Sequence, residues 1–108
     1  MIQQERRNNK SVFMSQFKKK LSESTGNVEA LLELGKSCFL SERYSQAIEA
    51  YKKALSVKNR NETVHYNLGV AYQAKGEYRK AKDAFLKALE IDPNHKAAQE
   101  ALNSLTDY

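Results

Sequence analysis

The sequence predicts an all-α protein: an array of antiparallel helix hairpins with a flanking helix at each end. Three observations carry that expectation. Residues 28–61 and 62–95 overlay without a gap in a 34-residue period; alanine, leucine, lysine and glutamate dominate, with a single proline; and no stretch alternates apolar with polar residues as a strand would. In register, Leu34-Gly35 falls on Leu68-Gly69, Tyr44 on Tyr78, Ala47 on Ala81, Ala50 on Ala84, Tyr51 on Phe85, and Lys53-Ala54-Leu55 on Lys87-Ala88-Leu89. Helices cross closely only where one supplies a small residue and the other a large one to fill the gap. Gly35 and Gly69 therefore read as close-approach points, Tyr51 and Phe85 as the knobs, and Ala47, Ala54, Ala81 and Ala88 as the partner surface around them.

Residues 1–9 are polar and expected to fray. Behind them, residues 10–24 read as a helix whose Val12, Phe13, Phe17 and Leu21 share one face. Phe17 stands in the slot of Tyr51 and Phe85, and Leu21 in that of Leu55 and Leu89, so this helix reads as the second half of a missing or degenerate earlier repeat. Lys20 occupies a slot where close packing wants alanine. Since about three repeat units are normally needed to bury a continuous core, the Val12-Phe13-Phe17 face either caps the array in its own chain or packs on a second copy.

Helices are expected at about 28–41, 45–58, 62–75 and 79–92, each near four turns long. Asn27 and Asn61 precede the two first helices one period apart, where their side chains can accept from unpaired amides of the first turn. Gly76 supplies a left-handed turn residue, and Pro93 ends the fourth helix. Residues 96–106 continue the register, with Leu102 in the slot of Leu68 and Asn103 in the glycine slot, and then stop. That is the character of a C-terminal cap, which must cover the last apolar face and be polar outside. The chain thus divides into 1–27 (polar start and flanking helix), 28–61 (first unit), 62–95 (second unit) and 96–108 (capping helix).

Leu68-Gly69, Tyr72, Gly76, Tyr78, Ala81, Phe85, Ala88 and Pro93 give the chain a clear likeness: it resembles the tetratricopeptide repeat (TPR) family. The first unit departs from the pattern, with Cys38 for Tyr72, Glu42 for Gly76 and Asn59 for Pro93. The resemblance implies a right-handed superhelical α-α solenoid and a non-enzymatic adaptor or scaffold, which holds a peptide or helix of a partner protein in its concave groove. Members line that groove with first-helix side chains that point away from the hairpin partner. The matching slots here are Glu29, Leu32, Glu33, Lys36, Phe39 and Leu40, then Thr63, Tyr66, Asn67, Val70, Gln73 and Ala74. Among these, Leu32, Lys36, Phe39, Tyr66, Asn67, Val70 and Gln73 are the candidate peptide-binding residues. Phe39 and Tyr66 would be anchors, Asn67 and Gln73 backbone-binding amides, and Lys36 the charge contact. A specialised branch of the family clamps the C-terminal carboxylate of chaperone tails with Lys, Asn and Arg side chains. Of the matching positions Leu32, Lys36, Asn67, Ala97 and Ala101, only Asn67 conforms, which argues against such a clamp.

Composition narrows the function classes. No G-x-S-x-G, phosphate-cradling glycine loop or nucleophile–histidine pairing is present, so no catalytic residue is expected, and Glu29 with Glu33 is the ordinary spacing of a solvated helix face. His65 and His95 lack partners at ligand spacing, so neither a metal nor another cofactor is expected. The single cysteine, Cys38, excludes an internal disulfide and shares an apolar face with Leu31 and Leu34. Apolar runs are far shorter than the roughly 20 residues of a membrane span. If Met1 is the natural start, nothing behind it resembles a signal peptide and the cytoplasm is the expected compartment. The net charge of +5 and pI near 9.3 raise an alternative, a basic surface for nucleic acid or an anionic membrane built on Lys18-Lys19-Lys20 and on Arg79, Lys80, Lys82 and Lys87. Interleaved Glu77, Asp83 and Glu90, and the absence of an aromatic stacking platform, disfavour it.

Overall fold

A computed structural model describes residues 2–105, with side chains from Val12 onward. Six helices follow one another: α1 (Ile2–Glu23), α2 (Val28–Leu40), α3 (Tyr44–Val57), α4 (Glu62–Ala74), α5 (Tyr78–Ile91) and α6 (Lys96–Ser104). There is no strand among the described residues. The pairs α2–α3 and α4–α5 are the two hairpins, stacked into an elongated body of 50 × 33 × 17 Å. The cap is helical as expected, and residues 106–108 of that segment lie outside the described residues.

At the start, the structure departs from the expectation of fraying. α1 is continuous from Ile2, because Gln, Glu and Arg are good helix formers and neither Gly nor Pro interrupts residues 2–23. It lies against α2 through Phe13 and Phe17, whose rings stack 6.1 Å apart. The Arg43 guanidinium sits 3.7 Å over the Phe13 ring, and Gln46 Nε2 donates to Met14 Sδ at 3.7 Å. α1 thus covers one side of the first hairpin. Lys20, in its alanine slot, stays exposed.

The glycine notches are real. A Cβ on Gly69 would lie 2.5 Å from Phe85 Cε1, and one on Gly35 2.6 Å from Tyr51 Cδ1, closer than carbon atoms approach. Each hairpin therefore closes at a glycine on which a fully buried ring rests, flanked by Ala47 and Ala54 or by Ala81 and Ala88, all inaccessible to solvent. Burial pushes the Tyr51 hydroxyl up to about 12, with smaller contributions from Cys38 and Glu33. The same cause raises the Cys38 thiol, against the opposing charge of Arg43.

The turns are built alike. The N–H of Arg43 donates to Cys38 O and that of Glu77 to Tyr72 O, both at 2.9 Å. Both turns carry a left-handed residue between helix and acceptor bond, Gly76 at φ 84° and Glu42 at φ 60°. Ala30 N–H donates to Asn27 Oδ1 at 3.1 Å and Val64 N–H to Asn61 Oδ1 at 3.0 Å, so both asparagine caps form. A third cap stands one period later: His95 Nδ1 accepts from Ala98 N–H at 3.1 Å.

Candidate functional site

Around α2, two opposite faces have separate duties. Leu34 and Cys38 face α1, while Glu29, Leu32, Lys36 and Leu40 lie about half a turn round the helix, at positions that α1 leaves uncovered. On α4 the same slots hold Thr63, Tyr66, Asn67, Val70, Gln73 and Ala74. Among these residues Leu32, Phe39, Tyr66 and Val70 are half-buried, and Leu40 is 82% exposed.

Local contacts fix several of these side chains. Lys36 Nζ is 3.6 Å from Glu33, a solvent-exposed pair of low energetic weight. Asn67 Nδ2 donates to Thr63 O at 2.9 Å within its own helix. The two aromatic rings depart from the sequence expectation that groove side chains point away from the hairpin partner. Phe39 leans on Tyr44, the first residue of α3, with ring centroids 5.3 Å apart. Tyr66 leans on Phe85 of α5 at 5.8 Å and on His95 at 5.1 Å. A ring long enough to reach the crossing helix gains more by packing there than by standing in water. Both are therefore shared between the core and the candidate groove face.

Two residues near that face carry roles that the sequence reading missed. His95 both caps α6 and supports the Tyr66 ring, and its place one period after Asn61 was the available signal. His65, buried in the slot of Leu31, holds Nε2 2.8 Å from the carbonyl of Asn59. A carbonyl only accepts, so that nitrogen carries the proton and tethers the inter-repeat loop where the second unit has Pro93. Among the described residues no three His, Cys, Asp or Glu side chains come together as metal ligands, and no helix is long and apolar enough to cross a membrane.

Stacked helix hairpins of this kind define a helical-repeat protein-interaction module. The sequence matches the families described as "TPR repeat" over residues 35–76 and "Tetratricopeptide repeat" over residues 63–95, together more than half of its length. The chain belongs to the tetratricopeptide repeat family, whose members are in general non-catalytic scaffolds. No curated protein matches it. Among solved structures it is similar to MamA, at 27% identity and TM-score 0.80, with 86% of this chain and 54% of that one covered. It thus spans about half the length of the MamA chains it matches. It also has the fold of the first TPR of Spaghetti (RPAP3) bound to HSP90 peptide SRMEEVD, at 16% identity and TM-score 0.74 over 94% of this chain and 86% of that one. The Arabidopsis OM64 TPR domain aligns at 20% identity and TM-score 0.75, covering 93% and 88%.

Proposed function

We propose that this chain is a non-enzymatic adaptor that holds a peptide or helical segment of a partner protein against the inner wall of α2 and α4. The observation that carries the reading is the segregation of faces on α2: α1 uses the Leu34 and Cys38 side, and Leu32, Lys36, Phe39 and Leu40 stay available. Leu40, Phe39, Tyr66 and Val70 supply apolar contact area, and rings already braced by Tyr44, Phe85 and His95 lose little freedom when a guest arrives. The exposed bonds of Asn67 to Thr63 and of Lys36 to Glu33 are ones that a partner's carbonyl and carboxylate can replace, and Gln73 adds a further amide. The peptide seen on the Spaghetti domain does not transfer to this chain, because the clamp slots hold Leu32, Ala97 and Ala101.

The basic-surface alternative gains no support from geometry. Lys80 is 4.0 Å from Glu77 and Lys87 is 3.6 Å from Glu90, so those cations are partly neutralised by neighbours. Affinity capture from source-cell lysate separates the two readings. A partner retained by wild type and by Lys82→Glu, resistant to high salt and lost with Leu40→Asp or Lys36→Glu, supports the groove. Leu40 and Lys36 are exposed, so those changes leave the fold intact, and circular dichroism checks this. Capture that ignores both and disappears at modest salt would assign the activity to the basic face.

A further inference from the structure

Charge is divided unequally between two sets of helices. The helices α2, α4 and α6 carry four acids (Glu29, Glu33, Glu62 and Glu100) and two lysines (Lys36 and Lys96), a net charge of −2. α1, α3 and α5 carry twelve cationic and five acidic residues, a net charge of +7, so a chain that is +5 overall holds its positive charge away from α2, α4 and α6. α6 continues the row begun by α2 and α4. Its Ala98 and Leu105 are buried as Val64 and Ala71 are one period earlier, so it is turned the same way as α4, and Glu100 falls in the slot of Leu32 and Tyr66. Glu29 and Glu62 lie in first turns, where a carboxylate complements the amide end of its helix. Glu29, Glu33 and Glu100 are exposed. Of the four acids only Glu33 has a cation within 4.0 Å among the described residues, Lys36 at 3.6 Å.

We propose that the partner segment received by the inner wall is a basic one, with apolar side chains for Leu40, Phe39, Tyr66 and Val70 flanked by Lys or Arg that meet Glu29, Glu62 and Glu100. This rests on the groove reading above and names the chemistry of its guest. A guest carboxylate that takes Lys36 releases Glu33 to a further guest cation, so that ion pair is exchanged rather than lost. Distance decides between local and overall charge. Packed helices lie about 8–10 Å apart between axes, so cations on the far sides of α3 and α5 act from at least about one Debye length at physiological salt, ~8 Å. The wall acids touch the guest directly. Exposed pairs of this kind add little affinity each, yet they select the sign of the partner. An acidic segment would meet three carboxylates without a cation beside them and a single lysine that is already paired.

Selection of phage-displayed random-sequence peptides on the full chain, at about 0.15 M salt, tests this. The retained peptides should be net positive and contain apolar residues. Fluorescence anisotropy of the strongest of them should show a dissociation constant raised about threefold to tenfold by Glu29→Gln combined with Glu100→Gln, and unchanged by Lys82→Glu on α5. All three positions are exposed, and circular dichroism checks that the variants stay folded. Retained peptides that are neutral or acidic overturn the proposal, as does a selection that enriches nothing, or basic peptides indifferent to the double change. Acidic peptides released by Lys82→Glu would place binding on α5 instead. The charge-neutral variant Leu40→Ser reads the groove separately: peptides of either sign that it releases keep the groove reading, and peptides that ignore it overturn that reading together with this one.

Discussion

The first repeat turns between its helices on Glu42 at φ 60° and closes on Tyr51; the second turns on Gly76 at φ 84° and closes on Phe85. Their turn hydrogen bonds are the same length, and the knob ring in each meets the same glycine. A hairpin of this kind therefore tolerates a strained residue at its turn and a hydroxyl on its knob, yet keeps the notch without a side chain. The reason is steric. A left-handed Glu costs about 1–2 kcal/mol locally, whereas a methyl group at the notch must displace a fully buried ring and the helix behind it.

Substituting the notches gives the largest expected effect. Gly35→Ala and Gly69→Ala should each destabilise by about 3 kcal/mol in urea unfolding, the upper part of the overpacking range. Pairing Gly35→Ala with Tyr51→Leu should recover part of that loss, since the two sites share one contact. Equal stability of the glycine variants and wild type would show that the crossing relaxes at little cost.

The knobs differ in a way that pH can read. An unfolded tyrosine loses its proton near pH ~10, and folded Tyr51 is pushed up to about 12. The buried neutral hydroxyl therefore contributes fully below pH ~10, and that contribution is lost as pH rises toward about 12. It amounts to about 2–3 kcal/mol. Tyr51→Phe, which copies the second repeat, should flatten the alkaline fall in unfolding free energy relative to wild type. Superimposable curves between about pH 9 and 12 would place the hydroxyl in contact with solvent.

The turns give the smallest effect. Glu42→Gly should stabilise by about 1 kcal/mol and Gly76→Glu should destabilise by a similar amount. Opposite shifts in thermal midpoint check both at once, and a destabilising Glu42→Gly would mean that the side chain makes a contact outweighing its strain.

Much of this was legible because the repeat encodes it twice. Helix positions, the glycine notches and the asparagine caps all recur at one fixed offset in the chain. What appears once was harder to read. His95 as a cap and ring support, and His65 as the tether of the Asn59 loop, stand in the slots of an asparagine and a leucine, so residue type did not mark them, and for His95 only the register did. Phe39 and Tyr66 were read as wall positions, but their lean onto the hairpin partner depends on the distance between crossing helices, which residue spacing does not state. At the start of the chain, polarity suggested fraying where helix propensity extends α1 to Ile2.

By itself, the sequence determined the repeat, the all-helical class and the residue pairs at which the helices touch, because periodicity and side-chain size are properties of the chain alone. Only the tertiary structure decided which face of α2 the first helix covers, the Leu34 and Cys38 side, and which it leaves uncovered, the Leu32 and Leu40 side. The physical reason is that an amphipathic helix announces its apolar stripe locally, whereas the partner that buries the stripe is chosen by how stacked hairpins meet in space.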